Sequence, residues 1–174
     1  MENLIIRRGE SQDVEGIARV CAAGWRKTYR GIKTSERIEA VIAEYYVPER
    51  IAREIKAPEG WDGWVVAVED DTVIGAGGGG MIEPHIGEIF VLYLDPARRG
   101  EGIGTLLLAA ITEAQRLQGA LEQWVSVEPE NTKGLVFYYS RGFELCGHRP
   151  EWRTSPEEGS FSLRLRRQLQ PDEQ

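Results

Sequence analysis

Hydrophobic positions change period along the chain, and each change marks an element. Val14, Ile17, Ala18, Cys21, Ala22 and Trp25 recur at helical spacing, with Ser11-Gln12-Asp13 ahead of them as N-cap oxygens. They predict a first helix reaching Trp25–Tyr29 and stopping near Gly31, behind a short edge strand at Asn3–Arg7. Ile38, Val41, Ile42 and Tyr45 predict a second helix from Thr34-Ser35, closed by Pro48, and Pro48–Lys56 reads as a further turn or two. Ala57-Pro58-Glu59-Gly60 breaks the pattern. Trp64–Glu69, Val73–Ile82 and Gly87–Leu94 then predict an antiparallel meander with turns at Asp70-Asp71 and Glu83-Pro84. Four consecutive glycines, Gly77–Gly80, weaken the middle strand. They leave room either for a ligand or for a bent backbone, and the sequence leaves both open. His85, in the next turn, reads as a surface residue or a substrate contact.

Beyond Asp95-Pro96 the period returns to helical. Ile103, Leu106, Leu107, Ala110, Ile111, Ala114 and Leu117 mark one face of a helix over 103–118, stopped by Gly119. Gln123–Val127 is a strand, 132–141 a short helix, and Phe143–Cys146 with Ser160–Arg166 a closing hairpin with a long connection. The order implies an α+β fold: a mixed, mostly antiparallel sheet of about seven strands with helices on both faces. One domain is expected over residues 1–166, with a polar tail at 167–174.

Composition narrows the class. With 21 basic and 28 acidic residues in 174, the net charge of −7 argues against nucleic acid or an anionic membrane as partner. The longest apolar runs, Ile89–Leu94 and Leu106–Ile111, are far short of the ~20 residues of a membrane span. The start lacks signal-peptide character. Cys21 and Cys146 form neither a metal-ligand spacing nor a disulfide framework, and His85 and His148 do not add a zinc site. A cytoplasmic protein without a metal is expected.

The candidate chemistry lies in the loop Ala97-Arg98-Arg99-Gly100-Glu101-Gly102-Ile103-Gly104. A helix N-terminus carries unpaired N–H groups and partial positive charge, and glycines let an anion approach the backbone closely. Arg98 and Arg99 add charge. The P-loop pattern fails, because Thr105 and Leu106 follow Gly104. The dinucleotide pattern fails too, because its last glycine position holds Thr105 or Leu107. The spacing met is Arg-x-x-Gly-x-Gly, at Arg99, Gly102 and Gly104.

This loop, together with Asn131 through Gly142-Phe143, resembles the GNAT superfamily of acyl-CoA-dependent N-acetyltransferases. Element order matches over nearly the whole chain. The resemblance implies a sheet with a V-shaped splay at a bulge between its central strands. It also implies acetyl-CoA as co-substrate, with its pyrophosphate held by backbone amides from Arg99, Gly100, Glu101, Gly102, Ile103 and Gly104, and Thr105 close by. Its pantetheine arm would pair with the exposed backbone of Leu92 and Leu94. Asn131 matches a pantetheine contact and equally an ordinary N-cap. Tyr138 matches the family's general acid for the leaving thiolate and equally a core tyrosine; a one-residue slip would put Tyr139 in its place.

Amide formation needs a neutral amine, and primary amines are mostly protonated at pH 7. Glu88, eleven residues before Arg99, matches a general base of some family members. It could equally sit at a solvated strand end or only hydrogen-bond a neighbouring strand, and a water chain could replace it. Trp25 and Tyr29 share a helix face. They are either a wall for a cationic acceptor or core packing. The expected acceptor is a small-molecule amine, a lysine or an N-terminal amine, and a homodimer is conceivable. Two other readings remain: a non-catalytic acyl-CoA-sensing module on the same fold, and a dinucleotide-binding oxidoreductase.

Overall fold

A computed structural model of the chain describes residues 3–150 and 160–170. Its elements run β1 (Leu4–Arg8), α1 (Val14–Tyr29), α2 (Ser35–Tyr45), α3 (Pro48–Glu54), β2 (Trp64–Glu69), β3 (Thr72–Glu83), β4 (Ile86–Leu94), α4 (Ile103–Leu117), β5 (Glu122–Val127), α5 (Thr132–Tyr139), β6 (Glu144–Pro150) and β7 (Phe161–Gln168). The seven strands form one sheet in the order β1-β2-β3-β4-β5-β7-β6. Every pairing is antiparallel except β4 with β5. The expected α+β sheet with helices on both faces is what forms. The connection between β6 and β7 falls mostly on 151–159, outside the described residues.

The two faces bury different helices. α1 and α3 press Ile17, Val20, Cys21 and Ile51 onto Trp64, Val66 and Val91. α4 presses Ile103, Leu107, Leu108 and Ile111 onto the opposite face. The glycines of β3 serve this double packing. A Cβ on Gly77 would stand 3.0 Å from Ile111 Cδ1, and one on Gly78 would stand 2.9 Å from the Trp61 ring. One on Gly79 would meet the Glu88 carbonyl at 2.1 Å, and one on Gly80 the Gly60 carbonyl at 2.1 Å. The run therefore accommodates bent neighbouring backbone and the loop that carries Trp61.

The centre of the sheet is irregular. Gly78 pairs with Val91 but Gly79 pairs with Ile89, so Phe90 is an extra residue on β4, a β-bulge. The parallel pairing of β4 with β5 spans only Ile86–Ile89 against Glu122–Val125. Beyond the bulge the two strands part, giving the expected V-shaped splay. Below it, a buried polar network holds them together. Gln115 Nε2 donates to the Glu88 carbonyl at 2.9 Å, and Gln123 Nε2 donates to Gln115 Oε1 at 2.9 Å. Arg167 donates to Gln123 Oε1 and Thr112 Oγ1, both at 2.9 Å.

That network corrects two sequence readings. The α4 face is rotated from the one read off the apolar residues: Thr112 and Gln115 are buried, whereas Leu106 is exposed and Leu117 is 80% exposed. Satisfied polar groups cost little to bury, so they take the inward positions. Nor does a polar tail begin at 167. β7 continues to Gln168, Arg167 is tied into the network, and Leu169 is buried with its N–H donating to the Leu121 carbonyl at 2.8 Å.

Gly79→Ala should lower the unfolding free energy by about 3 kcal/mol, because backbone must move to admit the methyl group. Gly31→Ala should cost only about 1 kcal/mol, since Gly31 has positive φ but open space around it. Urea denaturation of both variants checks the difference; equal losses would refute the account of the glycine run.

Candidate active site

Two depressions open at the splay. The first, about 330 Å³, runs along β4 and is lined by Leu92, Tyr93, Leu94, Arg99, Gly100, Asn131 and Tyr138, among others. The second, about 910 Å³, lies toward α1, α2 and α3 and includes Trp25, Tyr46, Glu54, Trp61 and Glu88. Tyr29, Ile89, Phe90, Val91, Tyr93 and Ser126 line both. A molecule in one can therefore meet a molecule in the other at β4.

At one end of the groove stands the N-terminus of α4. Gly102 is its N-cap at φ 81°, and no side chain satisfies the first amides. Gly100 is also left-handed, at φ 85°. A Cβ at either glycine would meet nothing within 4 Å. An uncapped helix start flanked by open glycine backbone can receive a phosphate. Of the two arginines, only Arg99 lines the groove, its Nη2 donating to Thr28 Oγ1 at 3.0 Å. Arg98 is engaged elsewhere, with Glu69 and Glu101 each at 2.6 Å. Hydrogen bonds to Glu69, then to Glu101, raise its pKa above the usual arginine value. Arg98 is thus a brace for the loop, and neither it nor its partner Glu101 lines the groove. Thr105 accepts a hydrogen bond from Arg141, which also stacks 3.7 Å from the Phe137 ring centre.

Asn131 caps α5: its Oδ1 accepts from the Gly134 N–H at 3.0 Å. It lines the groove as well, so the cap and a ligand-facing position coexist. Tyr138 points inward, 8% exposed, and lines the groove, while Tyr139 is 44% exposed and does not. Burial pushes the Tyr138 phenol well above its ordinary pKa, and the nearby Arg141 and Arg167 charges oppose that push.

Glu88 is buried, but its surroundings are not apolar. Arg164 Nη1 donates to Glu88 Oε1 at 2.5 Å and to Ser126 Oγ at 2.8 Å, with Nη2 at 3.4 Å from Oε2. Arg149 Nη2 adds a 3.5 Å contact. Sequence reasoning missed Arg164, which reads as one basic residue in an alternating strand. Its register opposite Ser126 brings it to Glu88, and no local pattern reveals that. The Trp25 and Tyr29 rings are 4.2 Å apart between centroids, tilted by 38°, and both line the larger cleft. They also pack against Ile38 and Ile42, so wall and core are the same residues. His85 lies at neither depression; its Nδ1 is 2.8 Å from the Gly119 carbonyl.

Comparison with known proteins agrees with this geometry. The profile of the Acetyltransferase (GNAT) family matches residues 25–143. A spermidine N(1)-acetyltransferase of Thermoplasma acidophilum is 33% identical over 146 residues, 80% of this chain and 88% of that protein. A mycothiol acetyltransferase of Gordonia bronchialis is 30% identical over 82% of this chain, but only 45% of its own length is covered. The crystal structure of the PaiA N-acetyltransferase of Thermoplasma acidophilum in complex with coenzyme A superposes with a TM-score of 0.81 at 26% identity, covering 96% of this chain and 99% of that one. With the profile spanning most of the chain and a relative this similar across four fifths of it, the chain belongs to the GNAT family of acetyltransferases.

Proposed function

We propose that this acetyltransferase moves an acetyl group from acetyl-CoA to a primary amine of a polyamine-like small molecule, by direct attack within a ternary complex. The observation that carries the reading is the meeting of the two depressions at β4, one with an uncapped helix start and the other with carboxylates and aromatic rings. The spermidine acetyltransferase relative supports the choice of acceptor.

The thioester arm lies along β4 from Leu92 to Leu94, where the strand has no β5 partner, and its pyrophosphate sits on the amides from Arg99 to Thr105. The α4 dipole favours its negative charge. Asn131, held rigid by its own cap, contacts the pantetheine. The amine nitrogen attacks the carbonyl carbon, its proton passing to Glu88 directly or through water, and the C–N bond forms. A strand amide such as that of Leu94 stabilises the tetrahedral oxyanion. The C–S bond then breaks and the thiolate takes the Tyr138 proton. Because burial keeps the phenol protonated, Tyr138 has that proton to give, and Arg141 and Arg167 temper the charge it is left with. Arg164 positions Glu88 by gripping both carboxylate oxygens. No acyl-enzyme forms: Cys21 is buried with its thiol pushed up by burial, and Cys146 is exposed on β6.

The decisive assay reads free thiol release across polyamines, aminoglycosides, amino acids and lysine peptides. Release with polyamines supports the reading, and acetyl-CoA binding without turnover on any amine favours a sensing module instead. Gly102→Glu should reduce acetyl-CoA affinity by 100-fold or more, at least ~3 kcal/mol, by placing a carboxylate in the phosphate cradle; near-normal calorimetric binding refutes the cradle. Tyr138→Phe should lower kcat ~10²-fold with acetyl-CoA affinity within about twofold. Glu88→Gln should lower kcat ~10²-fold with acetyl-CoA affinity within about twofold, and Arg164→Met should lower kcat by less, because Glu88 then keeps its carboxylate but loses the grip that places it. An unchanged kcat in Glu88→Gln would leave water as the base.

A further inference from the structure

The larger cleft holds a carboxylate that the chemistry above does not use. Glu54, at the end of α3, is 6% exposed and lines the cleft. Its Oε2 accepts from the Trp64 indole N–H at 3.0 Å, and its Oε1 accepts from Arg50 Nε at 2.7 Å. Beside it stands an aromatic wall. Trp61 stacks on Trp64 at 5.6 Å between centroids and meets Phe90 edge-on at 5.3 Å. This wall exists because β3 carries glycines there: a Cβ on Gly78 would come within 2.9 Å of the Trp61 ring.

We infer that Glu54, with the Trp61–Trp64 wall, is a second ammonium subsite of the acceptor cleft, one that selects amines carrying a further positive charge away from the acetylated nitrogen. The inference rests on the acceptor reading above. A carboxylate with ring faces beside it is the usual chemistry for holding an alkylammonium. The geometry supplies the spacing. Trp64 pairs with Gly78 and Gly78 with Val91, so the indole that holds Glu54 stems from backbone two strand spacings, about 10 Å, from β4. A monoamine attacking at β4 does not span that distance; an extended diamine or triamine does. Arg50 occupies the carboxylate in the absence of ligand. Arg50 is the partly exposed member of the pair and lies 4.4 Å from the Tyr45 ring centre, so an incoming ammonium can replace it at the buried carboxylate while Arg50 keeps that ring and solvent.

Three other carboxylates line the cleft: Glu88 is gripped by Arg164, Glu128 is paired with Lys33 at 3.0 Å, and Glu44 on α2 is only half-buried and lacks the Trp61–Trp64 wall beside Glu54. Glutamine keeps the shape and one accepting oxygen, enough for the Trp64 indole, but puts a donor where the other oxygen faced Arg50 and removes the charge. The charge is what the subsite requires.

The test compares steady-state KM values for spermidine and for n-butylamine in the wild type, Glu54→Gln and Arg50→Gln, with urea denaturation confirming that each variant folds. Glu54→Gln should raise the ratio of the spermidine KM to the butylamine KM about tenfold. Arg50→Gln should lower that ratio, because it removes the competing cation. An unchanged ratio in Glu54→Gln, or a raised ratio in Arg50→Gln, overturns the subsite. If the wild type acetylates no amine, the catalytic reading fails separately, and calorimetric titration of spermidine into the wild type and Glu54→Gln decides the subsite. Binding lost in the variant upholds it, and equal binding, or none to the wild type, refutes it.

Discussion

The architecture turns on one extra residue in one strand. Phe90 is bulged out of register with β3, and parallel pairing with β5 stops at Ile89. A strand that cannot stay in step with both neighbours must leave one of them, and here it leaves β5. The unpaired backbone beyond the bulge is an edge inside the sheet, the kind of edge that accepts an extended ligand. The groove and the cleft share its residues, so the same break creates both depressions and their junction.

Such a break needs a firm base. Thr112, Gln115, Gln123 and Arg167 supply it from α4, β5 and β7, through hydrogen bonds that reach the backbone of Glu88 itself. A buried network of this kind is costly unless nearly complete, and its bonds fix geometry more tightly than apolar contacts do. The residue proposed as base is therefore held from two directions: its carbonyl by Gln115 and its carboxylate by Arg164.

Charge is arranged more finely than the net value of −7 shows. Within the larger cleft, Glu54, Glu88 and Glu128 each have a basic partner, as Glu69 and Glu101 do at the loop. On the subsite inferred above, acceptor selectivity rests less on bulk acidity than on which pair yields to a ligand cation. The two cysteines and His85 lie outside both depressions.

Much was legible from the chain alone, because the relevant signals are local. Period-2 and period-3.6 patterning marked every element to within a few residues, since burial on one face is a property of consecutive positions. The Arg99-x-x-Gly102-x-Gly104 loop was readable because a left-handed N-cap needs glycine where it stands. Tertiary structure decided the rest. Which face of α4 turns inward depended on partners for Thr112 and Gln115 on distant strands. Whether Arg98 or Arg99 faces the groove depended on Glu69, nearly thirty residues away. Arg164 reached Glu88, and Glu54 reached Trp64, only through strand register and helix docking. Hydrogen bonds and ion pairs between remote residues leave no periodic trace in a sequence, so the chain announces its backbone and its glycine-rich helix start, while the fold alone assembles its charges.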